Sequence, residues 1–119
     1  MLLFKKKFLA AIARGEKTQT IRLWKYRKMR SGQRSYIPGI GYITVLAVEE
    51  VALADLTDAD AELDGFATGD ALRSEIQSLY GDALAAGSLA FRVRFRVLDP
   101  REQAAAVAER ESRRSETSD

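Results

Sequence analysis

The sequence contains no cysteine and no histidine. Their absence excludes disulfides, thiol nucleophiles, zinc fingers and every catalytic arrangement built on imidazole. A metal site would have to be all-oxygen, and no spacing of Asp and Glu resembles a calcium loop, so neither a metal nor a cofactor is expected. Proline is scarce, at two residues, and no apolar run approaches the roughly 20 residues that cross a bilayer. Met1-Leu2-Leu3-Phe4 precedes Lys5-Lys6-Lys7, the reverse of the charge-then-apolar order of a secretory signal. A soluble, cytoplasmic protein without a membrane partner is expected. Acid–base chemistry, where present, falls to Lys, Asp, Glu, Tyr or a hydroxyl.

Acidic residues are nearly missing from one stretch. Residues 5–34 hold eleven lysines and arginines (Lys5, Lys6, Lys7, Arg14, Lys17, Arg22, Lys25, Arg27, Lys28, Arg30 and Arg34) against Glu16 alone. The rest of the chain carries 8 basic and 16 acidic residues, so a net charge of only +2 hides strong segregation. Such a pattern suits a basic face aimed at a polyanion. It also suits a solvated surface balanced by the acidic half. At 119 residues, 46% hydrophobic and 30% charged, the chain has material for one globular core.

Along the chain, short strands are interrupted by a few helices. Leu2 to Phe4 reads as a first strand. Phe8, Leu9, Ile12 and Ala13 recur at helical spacing, which predicts a helix from about Lys5 to Arg14 with Gly15 at its C-terminal cap. Thr18 to Trp24 and Arg34 to Ile37 read as strands, the latter punctuated by Pro38-Gly39. Tyr42 to Val51 is apolar enough on both faces to line a barrel. Thr57 caps a short helix with Asp60 as its capping-box partner and Gly65 as its stop. Thr68 or Asp70 opens a second helix carrying Leu72, Ile76, Leu79 and Tyr80, ended by Gly81. In Ala90 to Leu98, Phe91, Val93, Phe95 and Val97 alternate with Arg92, Arg94 and Arg96, the clearest strand of all. Residues 1–99 form the expected domain, and residues 100–119 a helical extension fraying into a disordered tail. The fold class that follows is α+β, a small barrel with flanking helices.

Gly15-Glu16-Lys17-Thr18-Gln19-Thr20-Ile21-Arg22 carries the most chemistry per residue. A lysine desolvated near Arg22 loses proton affinity and becomes a usable base, and Thr20 offers a hydroxyl for it to activate. Strand alternation puts Lys17 and Thr20 on opposite faces, so a twist or bulge has to bring them together. The plainer reading of the same spacing is an exposed cationic strand end with β-favoured threonines.

Gly15-x-Lys17-x-x-Thr20-x-Arg22, placed after an apolar-faced helix, resembles the ASCH-domain signature G-x-K-x-x-E-x-R. Ser31-Gly32-Gln33-Arg34, Asp64-Gly65-Phe66, Leu79-Tyr80-Gly81 and Phe91-Arg92-Val93 follow in the family's order, so the resemblance spans residues 2–98. It implies a PUA-like β-barrel with a cleft lined by the signature residues, in a superfamily associated with RNA. Thr20 stands where the family usually has Glu, a variant also found in small bacterial ASCH proteins similar to N4-acetylcytidine amidohydrolases. Carried over by position, that resemblance implies Lys17 as base, Thr20 as nucleophile and Asp64 as acid or orienter. Asp64 is one methylene shorter than the Glu of those enzymes. Arg22 would stabilise an oxyanion or hold a phosphate.

Leu23-Trp24-Lys25-Tyr26-Arg27-Lys28-Met29-Arg30 interleaves flat rings with cations, the pattern of a surface that stacks bases and contacts phosphates. Alternatively, Trp24 packs into the core and the cations are simply solvated. The expected function is an RNA- or nucleotide-binding ASCH domain, with RNA or a modified nucleotide, including single-stranded nucleic acid, as partner. Phosphate contacts fall to Lys5, Lys6, Lys7, Arg22, Lys25, Arg27, Lys28, Arg30 and Arg34, and base contacts to Trp24 and Tyr26. The alternatives are a hydrolase of the same fold, either an amidohydrolase or a ribonuclease, and a plain interaction module working through its charged tail.

Overall fold

The computed structural model describes residues 1–117, with side chains through Arg114. Four strands, β1 (Gln19–Trp24), β2 (Arg34–Ile37), β3 (Gly41–Val51) and β4 (Leu89–Val97), form one antiparallel sheet in the order β1-β4-β3-β2. The sheet curls into a half-barrel, and helices flank it, giving an α+β fold. Helices α1 (Leu9–Ala13), α2 (Asp58–Asp64), α3 (Gly69–Ala85) and α4 (Pro100–Thr117) complete the described elements, with 3-10 turns at Lys6–Phe8 and Leu53–Asp55.

Alternation along β4 divides the interior in two. Phe91, Val93 and Phe95 face a core with Leu2, Ile12, Met29, Ile37, Ile43, Val45 and Val48. Ala90, with Ile21 of β1, joins Leu56, Ala61, Leu72 and Ile76 in a second core under α2 and α3. Arg92, Arg94 and Arg96 share the second face, but their fates differ. Arg92 pairs with Asp60 and Glu49, Arg96 pairs with Glu102, and Arg94 stands exposed. Along β3 only alternate residues are buried, and a register shift between Val45 and Ala47 leaves Leu46 exposed, so β3 is not apolar on both faces as expected.

The N-terminus also departs from expectation. Leu2 to Phe4 is no strand: Leu2 N donates to Tyr36 O of β2, while Leu3 O accepts from the Arg22 side chain of β1. A guanidinium thus takes the carbonyl that a ladder would need. This segment therefore touches both edge strands and spans the open side of the half-barrel. The helix expected over residues 5–14 is split into a 3-10 turn and α1, because Lys5 offers no capping acceptor and cations crowd the helix start, the wrong end for the dipole.

The capping signals translate directly. Thr57 and Asp60 form the reciprocal capping box of α2, and Gly65 closes it at φ 93°. Thr68 caps α3. That helix passes its expected stop: Tyr80 leaves helical geometry at φ −127° and ψ 17°, and the helix resumes through Gly81 to Ala85, where Leu84 still packs on the second core. Helix α4 reaches Thr117, and the last two residues of the expected disordered tail lie outside the described residues. Among the described residues no helix is long and apolar enough to cross a membrane.

Candidate functional site

Lys17 precedes β1, so no ladder fixes which face it takes. Its backbone is instead held from three sides: Lys17 N donates to Ala11 O, Thr18 N to Leu63 O at the end of α2, and Thr18 O accepts from Phe95 N of β4. This places the lysine side chain against Asp64, and Gly65 turns the chain just beyond it at a positive φ. A Cβ on Gly65 would sit 3.4 Å from the Phe8 ring and 3.6 Å from Lys17 Cδ, at a φ that side chains rarely adopt.

Lys17 is 2% exposed and Asp64 3%. Lys17 Nζ donates to Asp64 Oδ1 at 2.6 Å, to Gln19 O at 3.0 Å and to Asp64 O. Phe8 and Phe4 lie against the ammonium, with ring centroids 4.7 and 5.6 Å away. Burial pulls the Lys17 ammonium below its ordinary range, against the pull of Asp64 and with help from Arg22. Burial likewise pushes the Asp64 carboxyl up, against Lys17. Asp64 Oδ2 is buried without a hydrogen-bond partner among the described residues.

Arg22, two positions along β1 from Thr20, shares its face. Arg22 Nε donates to Thr20 Oγ1 at 3.1 Å, Nη2 donates to Leu3 O at 2.6 Å, and the guanidinium stacks 4.8 Å from the Phe4 ring centre. Nη1 is left without a described partner. Lys17, Thr20, Arg22 and Asp64 all line one cavity of about 110 Å³, walled by Phe4, Phe8, Phe66 and Tyr80. That is several times the ~10–15 Å³ one water requires. The twist expected to bring Lys17 and Thr20 to one place is therefore supplied by the break before β1.

The two residues are not bonded to each other. Thr20's hydroxyl is engaged by Arg22, and Lys17's three N–H groups are all directed at Asp64 and Gln19.

The remaining residues singled out by sequence scatter more widely. Lys5 lines the cavity, and Lys5 and Lys7 reach Glu75 of α3, whereas Lys6 is exposed. Beyond β1, Lys25, Tyr26, Lys28 and Arg30 are exposed, Tyr26 at 70%. Met29 is buried and anchors the loop. Arg27 donates to Val48 O and lies over the Phe91 ring, so it staples the loop to the sheet. Trp24 is half-buried against Phe91, with centroids 5.4 Å apart. Arg34 pairs with Glu109 of α4. Sequence reasoning missed Phe4, Phe8, Phe66 and Glu75 as site residues. It also missed Gln19, wholly buried and donating to Asp60 O at 3.4 Å. An aromatic at each end of the lysine run was the one visible signal.

No protein-family model matches the chain, and no curated protein matches it. In structure it is similar to protein EF3133 from Enterococcus faecalis V583, of the DUF984 family. The TM-score is 0.63 at 18% identity, over 78% of this chain and 71% of that one. At that identity the likeness is one of fold.

Proposed function

We propose that the chain is an RNA- or nucleotide-binding domain of the ASCH type, whose cavity takes a base and whose basic segments take phosphates. The observation that carries this reading is a guanidinium edge left open on one aromatic-walled cavity. Arg22 Nε and Nη2 are held by Thr20 Oγ1 and Leu3 O, Nη1 makes no hydrogen bond among the described residues, and the Phe4, Phe8, Phe66 and Tyr80 rings wall the space beside the guanidinium. A flat ring with an acceptor on its edge answers the guanidinium and fills the space between the rings. Lys25, Lys28 and Arg30 begin at the far end of β1, ~17 Å from Gln19 at strand rise, so a ligand engaging both regions is longer than one nucleotide.

Hydrolysis of an acylated cytidine is the second reading, favoured by the lowered proton affinity of Lys17. It requires Lys17 to release a bond to Asp64 or Gln19 and to displace Arg22 from Thr20. The binding reading leaves the bonds of Lys17 and Thr20 in place, and we rank it first.

Titrating a fluorescent single-stranded RNA by anisotropy, beside chromatography of N4-acetylcytidine incubated with the protein, separates the two. Binding weakened by R22Q with the acetylcytidine intact is the expected result. Deacetylation abolished by T20V would put the hydrolase first. Tight binding indifferent both to R22Q and to removal of the loop cations would sink the cavity reading.

A further inference from the structure

Two lysines of the N-terminal segment converge on one carboxylate. Lys5 Nζ lies 3.4 Å and Lys7 Nζ 3.6 Å from the same atom, Glu75 Oε1 of α3. Both separations are long for a charge-assisted hydrogen bond, which normally closes to about 2.7–2.9 Å. Both lysine side chains remain about half exposed, at 52% and 56%, while Glu75 is 29% exposed. Lys5 and Glu75 line the cavity beside Arg22.

Exposed pairs stretched this far add little to folding, so stapling the segment to α3 is a weak account of the cluster. Its electrostatics suit something else. One negative charge facing two ammonium groups leaves the mouth of the cavity net positive, and the single oxygen they share satisfies neither at close range. A phosphate brings several acceptor oxygens and can meet each lysine at normal hydrogen-bond length. The two cations are already gathered, so a ligand need not bear the full cost of ordering them.

We propose that Glu75 is the resident occupant of a phosphate subsite at the mouth of the cavity. Its carboxylate gathers Lys5 and Lys7 where a ligand phosphate takes them, and swings aside when one arrives. The inference rests on the nucleotide reading of the cavity and adds to it a self-competing anion. Glu75 therefore tightens discrimination, since a weakly charged ligand gains too little from the two lysines to displace it.

The test is calorimetric titration of the wild type, E75Q, K5A/K7A and R22Q with the four ribonucleosides, their 5′-monophosphates and the matching dinucleoside phosphates. Thermal melts confirm that each variant folds. E75Q is expected to bind a monophosphate about 3- to 10-fold more tightly than wild type at low salt, as loss of two competing exposed pairs implies. The gain for the monophosphate exceeds any change for the nucleoside, and it shrinks at 200 mM salt. K5A/K7A abolishes the advantage of monophosphate over nucleoside. An equal gain for the dinucleoside phosphate identifies a chain phosphodiester as the natural occupant, and a gain confined to the monophosphate identifies a free nucleotide. An E75Q affinity equal to or below wild type overturns the subsite, while R22Q-sensitive nucleoside binding would keep the cavity reading alive. If R22Q changes the binding of neither ligand, the cavity reading falls and the subsite with it.

Discussion

At the N-terminal end of β1, Lys17 and Asp64 are shut away from water, with two phenylalanine rings against the ammonium. At the other end, the charged groups of Lys25, Lys28 and Arg30 stand in solvent with no ordered partner among the described residues. The two regions put their cations to opposite uses. A buried pair costs desolvation free energy and holds its groups to one geometry, so it can discriminate between ligands. Solvated cations hold no fixed geometry. They attract any polyanion, and salt weakens them.

The sharpest way to break the contrast is at the buried end. K17M leaves Asp64 buried and uncompensated, which should cost about 3–5 kcal/mol, read as a lower urea midpoint at unchanged slope. K17M/D64L removes both charges and should recover much of the loss. A K17M cost below about 1 kcal/mol would mean that water reaches the pair and the contrast is false.

Next in size is the pair of aromatics at the loop's root. Trp24 packs on Phe91, so W24A should lower stability by about 3 kcal/mol, the low end for losing a packed Trp. Tyr26 is exposed, so Y26A should leave unfolding within about 0.5 kcal/mol and weaken RNA binding by about 1–3 kcal/mol. If W24A instead lowers RNA affinity with no change in stability, the ring serves the ligand.

A smaller effect tests the solvated cations. Three contacts to single-stranded RNA give a salt slope near −2, hence about a 20-fold affinity loss between 50 and 200 mM salt. K25A/K28A/R30A should remove that share of the slope, and an unchanged slope would move the phosphate contacts elsewhere. The smallest effect asks whether exposure alone makes a charge pair loose. Glu102 is exposed to a third of its surface, yet it accepts from both Arg96 nitrogens and from Asp99 N at the start of α4. The Arg96 bonds, then the Asp99 backbone, hold its carboxyl at about 2. A depressed carboxyl contributes stability that is present above its ordinary value near 4.5 and lost as pH falls towards about 2. Amide protection at the start of α4, taken relative to the intrinsic exchange rate at each pH, should therefore fall over that window, and E102Q should flatten the response.

Much of the scaffold was legible because its signals are local. Thr57 and Asp60 stand three apart and form their box, Gly15 and Gly65 take the positive φ that ends a helix, and the alternation of β4 sorts its residues to two faces. The convergence of Lys17, Thr20, Arg22 and Asp64 could be inferred from the motif's resemblance but not from spacing, since Lys17 and Asp64 meet through ties between distant segments such as that of Thr18 to Leu63. Other features depend on contacts between distant segments and left no local trace. Glu75 reads as one more acid on a helix until α3 packs beside the N-terminal segment. Gln103 is similar: its side-chain amide donates to Tyr42 O and accepts from Tyr42 N, as a neighbouring strand would. The first strand failed for a comparable reason, because the side chain that replaced its ladder lies on β1.

The strand order has a consequence for how the molecule comes into being. β1 pairs with β4 alone, Gln19 against Arg94 and Trp24 against Leu89. At ~5–20 residues per second of synthesis, β1 waits several seconds on the ribosome for its partner, with both edges bare. Closing so long a loop is also the slow kind of step in folding. Lys17, Thr20, Arg22 and Asp64 have all been made by then, yet they have no sheet to hang on until Leu89–Val97 arrives. The cleft is therefore among the last features to form, and a chain that stops short of β4 would carry all four of these residues and no site.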